Sequence, residues 1–227
     1  MNKIVLAILG VLMVLGVGYW LLSGPSAASN QPMVGQEQAT TTGAAVPVTD
    51  ATASTTNTTT SNSNKKNMTA TLHTNMGDIT VEFFPDQAPN TVANFIKLAK
   101  SGFYDGTKFH RVIKGFMDQG GDPLSKDDSM VARWGTGGPG YQFNDEIAAQ
   151  NENAPGTIAM ANSGPNTQGS QFFINAVDNR TNLGNNYTVF GKVTSGMDVV
   201  TAINNVQTGQ SDRPLKPVVL TSVTLSS

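Results

Sequence analysis

The pattern of apolar and polar positions changes twice along the 227-residue chain. An apolar run extends from Ile4 to Leu22, and residues 23–67 are then rich in Thr, Ser and Asn, with no aromatic residue. From residue 68 onward, apolar and polar residues alternate over short segments that Gly, Pro and Asn separate. Since successive side chains of a strand point to opposite faces, this last pattern predicts one β-rich domain over residues 68–227.

The N-terminal segment, residues 1–22, has the pattern of a transmembrane helix. Its apolar part would be about 28 Å long as a helix, close to the thickness of a bilayer core. Lys3 precedes this part and no Lys or Arg follows before Lys65, so the positive-inside rule predicts a cytoplasmic N-terminus. We therefore expect a single-pass anchor with an extracytoplasmic C-terminal domain. The alternative is a signal peptide cleaved after Ser26-Ala27-Ala28, which would give a secreted or periplasmic protein.

Residues 23–67 are expected to form a disordered linker. Their few apolar side chains cannot offset the entropy lost when a backbone becomes ordered. A flexible chain of about 45 residues has a root-mean-square reach of roughly 35 to 40 Å. The linker would therefore let the domain search the space near a membrane. An ordered stalk is the alternative interpretation.

Within residues 68–227 the sequence predicts two helices and eight strands. The helices, with apolar residues at helical spacing, are Pro89–Lys100 and a segment around Met197–Asn204. Many short strands with turn signals favour an antiparallel barrel. The predicted strands are Met68–His73, Ile79–Phe84, Phe109–Ile113, Phe116–Gln119, Gly156–Ala161, Ser170–Val177, Tyr187–Val193 and Val218–Leu225.

One segment, residues 109–122, reads F-H-R-V-I-K-G-F-M-D-Q-G-G-D and places a cation among apolar residues. Alternation predicts that Arg111 shares a strand face with Phe109 and Ile113, while His110 lies on the other face. After the Gly115 bend, a second short strand places Met117 and Gln119 on one face.

A second segment, residues 161–173, reads A-N-S-G-P-N-T-Q-G-S-Q-F-F. Its strand again places an amide and an aromatic ring on one face, those of Gln171 and Phe173. In order and separation the two segments resemble the cyclophilins, the cyclosporin-binding family of peptidyl-prolyl cis-trans isomerases. The resemblance extends from about Met68 to the C-terminus.

The resemblance implies an eight-stranded closed antiparallel barrel, capped by two helices, with a binding groove on its outer wall. It implies rotation of Xaa-Pro peptide bonds in polypeptide clients, assisting the folding of exported proteins, with no cofactor and no metal. Arg111 would be the catalytic residue. The substrate-binding residues would be His110, Phe116, Met117, Gln119, Ala161, Asn162, Gln171, Phe173, Leu183 and Tyr187.

This chemistry suits an arginine beside an apolar pocket. Rotation about an Xaa-Pro bond has a barrier of about 20 kcal/mol because amide resonance must be broken. In the twisted state the prolyl nitrogen regains a lone pair, which a guanidinium stabilises more than it stabilises either planar state. The alternative is a chaperone or scaffold that holds proline segments in the same groove without turnover.

The chain departs from the cyclophilin pattern at two places. Asn182 stands where cyclosporin-sensitive members have tryptophan, so cyclosporin is expected to bind weakly. The loop from Asp122 to Gly140 is about ten residues longer than usual. It contains Met130 and Trp134, which either staple the loop to the barrel wall or form an apolar lip for clients.

Composition excludes several other functions. Three of the 14 Lys and Arg residues and two of the 16 Asp and Glu residues precede residue 68, which leaves a net charge of −3 for the domain and argues against nucleic-acid binding. With no cysteine, His73 and His110 make no zinc set. The acidic pair Asp145-Glu146 is expected to be solvated. We expect a monomer.

Overall fold

The computed structural model describes residues 68–226. The expected anchor, residues 1–22, and the expected linker, residues 23–67, lie outside the described residues. No helix within residues 68–226 is long and apolar enough to cross a bilayer.

Nine strands in this part of the chain form one curled antiparallel sheet. Their order across the sheet is β3-β9-β1-β2-β8-β6-β7-β5-β4. The strands are β1 (Thr69–Thr74), β2 (Gly77–Phe83), β3 (Thr107–Lys108), β4 (Arg111–Ile113), β5 (Met117–Gly120), β6 (Thr157–Met160), β7 (Phe172–Asn175), β8 (Val189–Ser195) and β9 (Val219–Ser226).

Between residues 68 and 226, three α-helices accompany the sheet. They are α1 (Pro89–Lys100), α2 (Arg180–Leu183) and α3 (Met197–Asn204). The predictions for α1 and α3 are confirmed, whereas the one-turn helix α2 is too short to have a periodic signal. Three 3₁₀ segments are Pro123–Lys126, Asp128–Arg133 and Gln210–Asp212.

The mainly-β architecture is confirmed, but the eight-stranded closed barrel is corrected to nine strands in a curled sheet. The additional strand is β3, which lies just before the predicted strand Phe109–Ile113, and that strand is itself shortened to β4. In the structure β3 pairs with β9, and β4 pairs with β5. Because only two residues, Phe109 and His110, separate the outermost strands of the sheet, the sheet must curl until both its edges reach this one segment.

The same change of partner interrupts the strand alternation. Phe109 is 1 % exposed and lies in the main core with Val112, while Arg111 between them is exposed. The prediction that Phe109 shares a face with Arg111 is therefore wrong. Ile113 does point away from the main core, toward the second cluster described below.

Helix α1 closes the inside of the curled sheet. Phe95 is fully buried, and its ring centroid lies 4.8 to 5.7 Å from those of Phe83, Tyr104, Phe172 and Phe190. These rings come from α1, from three strands and from the segment that leads to β3. The aromatic cluster thus holds the inner faces of distant strands together.

The start of α1 is capped from a distant part of the chain. Ala88 at its N-cap offers no side-chain acceptor. Instead the Glu146 carboxylate accepts hydrogen bonds from the backbone N–H groups of Asn90 (3.1 Å) and Thr91 (2.8 Å). Burial acts to raise the pKa of Glu146, but these hydrogen bonds hold it below its ordinary value. Glu146 is therefore a helix cap and not the solvated loop charge that the sequence predicts.

Candidate active site

A second apolar cluster lies on the outer face of the sheet. Alternation produces it: Phe173 belongs to this cluster, while its neighbours Phe172 and Ile174 belong to the main core. Four buried residues form its base, namely Met117, Ala159, Phe173 and Val189. The partly buried residues packed against them are Phe84, Ile113, Phe116, Ala161, Leu183 and Tyr187.

This cluster, which we call the apolar platform, contains six of the predicted site residues: Phe116, Met117, Ala161, Phe173, Leu183 and Tyr187. The rings of Phe173 and Tyr187 meet edge to face at a centroid distance of 5.3 Å. Since the platform residues come from five strands, from α2 and from connecting segments, the sheet brings together side chains far apart in sequence. The result is an apolar surface of a kind that suits the compact, apolar ring of a proline.

A row of polar side chains runs beside the platform. Gln119 Nε2 donates to Gln171 Oε1 at 3.0 Å, and Gln171 Nε2 donates to the carbonyl oxygens of Gly135 (3.0 Å) and Gly137 (2.8 Å). At the other end, Arg111 Nη1 donates to Gln119 Oε1 at 3.5 Å. The row therefore links the long loop to the guanidinium through two amides, each held in one orientation by its neighbours.

A cleft of about 580 Å³ continues beyond this row. It is lined by residues 135–142 and also by Ala161, Asn162 and Ser163. Asn162 Nδ2 donates to the Asn186 carbonyl at 2.8 Å, which holds the side chain in place. The cleft shares Ala161 with the platform and Gln119 and Gln171 with the polar row, so the three form one continuous surface.

His110 is placed differently from the other predicted site residues. It is 5 % exposed, and a Cβ on Gly135 would lie 3.6 Å from its Nε2, so the loop lies directly over the ring. Burial lowers the pKa of His110 and outweighs the nearby Asp122, which acts to raise it. His110 thus supports the groove from beneath and is closed to solvent in this structure.

The long loop is anchored to β3 of the curled sheet by its tryptophan. The Trp134 ring has Lys108 Nζ over it at 4.7 Å from the ring centroid, and its Nε1 donates to the Asp127 carbonyl at 3.0 Å. Asp122, at the start of the loop, accepts hydrogen bonds from the backbone of Leu124 and Gly135. The sequence left two interpretations of Trp134. These contacts favour a residue that fixes the loop to the sheet over an exposed apolar edge that binds clients.

The comparisons with known proteins agree with this geometry. A family model described as cyclophilin type peptidyl-prolyl cis-trans isomerase/CLD matches residues 69–225. The chain belongs to the cyclophilin family. Its members catalyse rotation of Xaa-Pro peptide bonds, and the domain described here is a peptidyl-prolyl cis-trans isomerase.

Two relatives illustrate the similarity in sequence. A peptidyl-prolyl cis-trans isomerase of Arabidopsis thaliana is 49 % identical over 159 residues, which cover 70 % of this chain and 96 % of that protein. A probable peptidyl-prolyl cis-trans isomerase A of Mycobacterium leprae is 47 % identical over 179 residues, covering 71 % of this chain and 93 % of the relative.

Solved structures agree as well. A cyclophilin-type isomerase of Cryptosporidium parvum has a TM-score of 0.65 and 34 % identity, and the match covers 71 % of this chain and 98 % of that one. A second structure of that protein, determined in the presence of the dipeptide Ala-Pro, has a TM-score of 0.64.

Sequence reasoning missed one charged residue at the site. Asp212 Oδ2 lies 3.5 Å from Arg111 Nε. The two residues are about 100 positions apart, and Asp212 stands in a turn with no apolar periodicity. No local signal could have paired them.

Asp118 lies between two groove residues of β5 and points inward. It is 1 % exposed, and its Oδ1 accepts a hydrogen bond from Asn204 Nδ2 at 2.8 Å. Burial raises its pKa from 3.8 to about 7, against the opposing effect of the Asn204 hydrogen bond. The folded protein therefore holds a proton on Asp118 at pH values where the unfolded chain has lost it.

A pH-dependent loss of stability follows. Since the pKa is raised on folding, the stabilisation is complete below about pH 4 and is lost as the pH rises toward about 7, by at most about 1.4 kcal/mol per pH unit. Asp118→Asn cannot ionise, so its melting temperature should exceed the parent's by several degrees at pH 8. The gap should shrink toward pH 4.

Melting temperatures of both proteins across this range test the prediction, with Asp105→Asn, an exposed site, as control. His110 alone would change the parent's melting temperature with pH in the opposite direction. Because its pKa is lowered on folding, stability is lost as the pH falls below about 6.5. Comparing variant with parent cancels that effect. A gap of the same size at pH 4 and pH 8 would contradict the assignment to Asp118.

Proposed function

We propose that Arg111 is the catalytic residue of this isomerase and that the apolar platform holds the proline ring of its substrate. The observation that carries the proposal is the position of the guanidinium, at the end of a hydrogen-bonded row of amides that borders the platform. A cation held there is close to the nitrogen of a proline seated on the platform.

The proposed mechanism uses differential binding. The platform fixes the proline ring, while Gln119, Gln171 and Asn162 offer amide donors and acceptors to the peptide backbone. As the chain on the other side of the Xaa-Pro bond rotates, the prolyl nitrogen becomes pyramidal and regains its lone pair. An N–H of Arg111 then donates to this lone pair, which neither planar ground state offers. No bond is made or broken, so the reaction needs no nucleophile.

We further propose that the enzyme acts outside the cytoplasm on newly exported chains, tethered by residues 1–22 through the linker of residues 23–67. The support comes from the sequence: the apolar run is long enough for a bilayer, and the following residues have the composition of a flexible chain. A tether of this length keeps the groove within roughly 40 Å of the membrane, where exported chains emerge unfolded.

Substitution of Arg111 tests the catalytic role. Arg111→Ala and Arg111→Lys should each lower kcat/KM for a proline tetrapeptide at least tenfold, about 1.4 kcal/mol in the barrier, since lysine keeps the charge but loses the planar fork. NMR exchange between the two isomers measures the rate. Lys114→Ala, which removes another exposed cation from the adjoining turn, is the matched control. An Arg111→Ala protein with the parent's melting temperature and rate would overturn the role.

We attribute the weak cyclosporin binding that the sequence predicts to Asn182, which is exposed on α2 beside Leu183. Asn182→Trp adds an apolar wall and an indole donor at the edge of the platform. It should tighten cyclosporin by about tenfold, or about 1.4 kcal/mol, as measured by titration calorimetry. Thr181→Trp places the same ring one residue away and should have little effect. Equal affinities for the parent and Asn182→Trp would show that another residue determines binding.

Cell fractionation tests the tether. In a bacterial host, the full chain should remain with the membrane in high salt and be released by detergent, while a chain lacking residues 4–22 should stay soluble. Protease added to the cells should digest the domain only after the outer membrane or cell wall has been permeabilised. N-terminal sequencing of the purified protein decides between the two forms, because a sequence beginning after Ala28 would establish cleavage and exclude the permanent anchor.

A further inference from the structure

The guanidinium of Arg111 is contacted on two of its nitrogens. Asp212 Oδ2 lies 3.5 Å from Nε, and Gln119 Oε1 lies 3.5 Å from Nη1. Within residues 68–226, Asp212 is the only carboxylate that pairs with Arg111, and Nη2 makes no hydrogen bond. The two contacts, both 3.5 Å long, favour one plane for the guanidinium and leave Nη2 without a hydrogen-bond partner among the described residues.

Asp212 is held beside Arg111 by a turn with an uncommon backbone. Ser211 and Asp212 both adopt left-handed conformations, with φ values of 60° and 57°. Residues with a Cβ rarely adopt this conformation in succession, so the surroundings must hold it. The turn is closed by hydrogen bonds from Gly209 N to the Arg213 carbonyl (2.8 Å) and from Leu215 N to the Gln207 carbonyl (2.9 Å).

The long loop fastens this turn from the other side. Arg213 Nη2 donates to the Val131 carbonyl at 3.0 Å, and the Arg213 guanidinium lies 5.1 Å from the centroid of the Trp134 ring. The same ring is in contact with Lys108. The residue next to Asp212 is thus bound to the loop that the sequence marks as unusually long. Trp134 therefore contacts the turn as well as β3.

Stability does not explain the Arg111–Asp212 pair. The side chains are 44 % and 48 % exposed, and ion pairs at such exposure contribute little to folding. The pair can instead fix the orientation of the guanidinium. Orientation matters because an N–H donor stabilises the prolyl lone pair only when the N–H points at that lone pair. The negative charge of Asp212 also lowers the positive electrostatic potential at Arg111. The carboxylate must therefore bring a benefit, such as orientation, that outweighs this loss.

We propose that Asp212 is a positioning residue for the isomerisation, which it promotes by holding the plane of the Arg111 guanidinium. The proposal rests on the catalytic role proposed for Arg111. The Trp134–Arg213 contact keeps the Asp212 turn in place. The long loop therefore influences the rate through this turn, without touching the substrate.

The test compares Asp212→Asn, Asp212→Gly and Asp212→Glu with the parent. Asparagine and glycine both tolerate the left-handed backbone. Asp212→Asn should lower kcat about fivefold with KM changed less than twofold, Asp212→Gly should lower it at least as much, and Asp212→Glu should retain more activity than Asp212→Asn. NMR exchange at several peptide concentrations separates kcat from KM. Asp78→Asn, which removes a carboxylate from the exposed His73 pair, is the matched control.

A double-mutant cycle distinguishes positioning from a general structural effect. In an Arg111→Ala background, Asp212→Asn should have no further effect on kcat/KM, because no guanidinium remains to be oriented. Loss by the same factor in both backgrounds would overturn the proposal. A parent-like or raised kcat for Asp212→Asn, while Arg111→Ala is impaired, would overturn the positioning role alone. A fully active Arg111→Ala protein would overturn both the catalytic role of Arg111 and the positioning role of Asp212.

Two further measurements test the proposal independently: the salt dependence of kcat and the kcat of Arg213→Lys. Raising the salt from about 0.1 M to about 1 M shortens the Debye length from about 10 Å to about 3 Å, so the parent's kcat should fall toward that of Asp212→Asn while the variant's changes less. Arg213→Lys loses the fork that binds Val131 and should reproduce part of the Asp212→Asn loss. Equal salt dependence of parent and variant, or an unchanged kcat for Arg213→Lys, would contradict the proposed support.

Discussion

The pairing of β5 with β7 is the constraint on which both the core and the groove depend. In this register Gln119 lies opposite Phe173 and Asp118 opposite Ile174. One face of the pair therefore contributes Met117, Gln119 and Phe173 to the groove, while the other contributes to the main core. A shift of one residue would move each of these side chains to the opposite face. The groove is thus the outer side of the same sheet that encloses the hydrophobic core.

A network of buried amides supports the end of the platform that carries Phe116. Asn179 Nδ2 donates to Asn175 Oδ1 at 2.8 Å and to the Phe116 carbonyl at 2.9 Å, and Asn175 Nδ2 donates to Thr157 Oγ1 at 2.9 Å. Asn175 and Asn179 are fully buried, so each amide needs partners. The network links β7 to the turn that carries Phe116. The position of an aromatic ring in the groove is consequently determined by hydrogen bonds beneath it.

The other end of the groove depends on two loops that are far apart in sequence. One, from residue 122 to 140, presents the carbonyl oxygens that hold Gln171 and the ring that binds Arg213. The other carries Asp212 to Arg111. Both loops act on the guanidinium, the first through the two amides and the second through an ion pair. An exposed arginine on a three-residue strand thereby acquires a defined environment without being buried.

The sequence alone determined much of this protein. Helical spacing located α1 and α3, and the alternation around Gln119, Gln171 and Phe173 assigned their faces correctly, because periodicity reports which side of an element is buried. The resemblance to the cyclophilins, carried by two motifs, named every predicted site residue. These are local properties, readable without knowing how distant segments meet.

Tertiary structure alone decided the rest. The chain changes its strand partner at Phe109 and His110, which broke the predicted alternation, shortened the expected strand Phe109–Ile113 to β4 and added the unpredicted strand β3 before it. Glu146 became the cap of a helix about 55 residues earlier in the chain, and Asp212 came to lie beside Arg111. Each of these contacts joins a loop residue to a distant element, and loop residues have no periodicity to encode a partner. Only the packing of the curled sheet determines which loops meet.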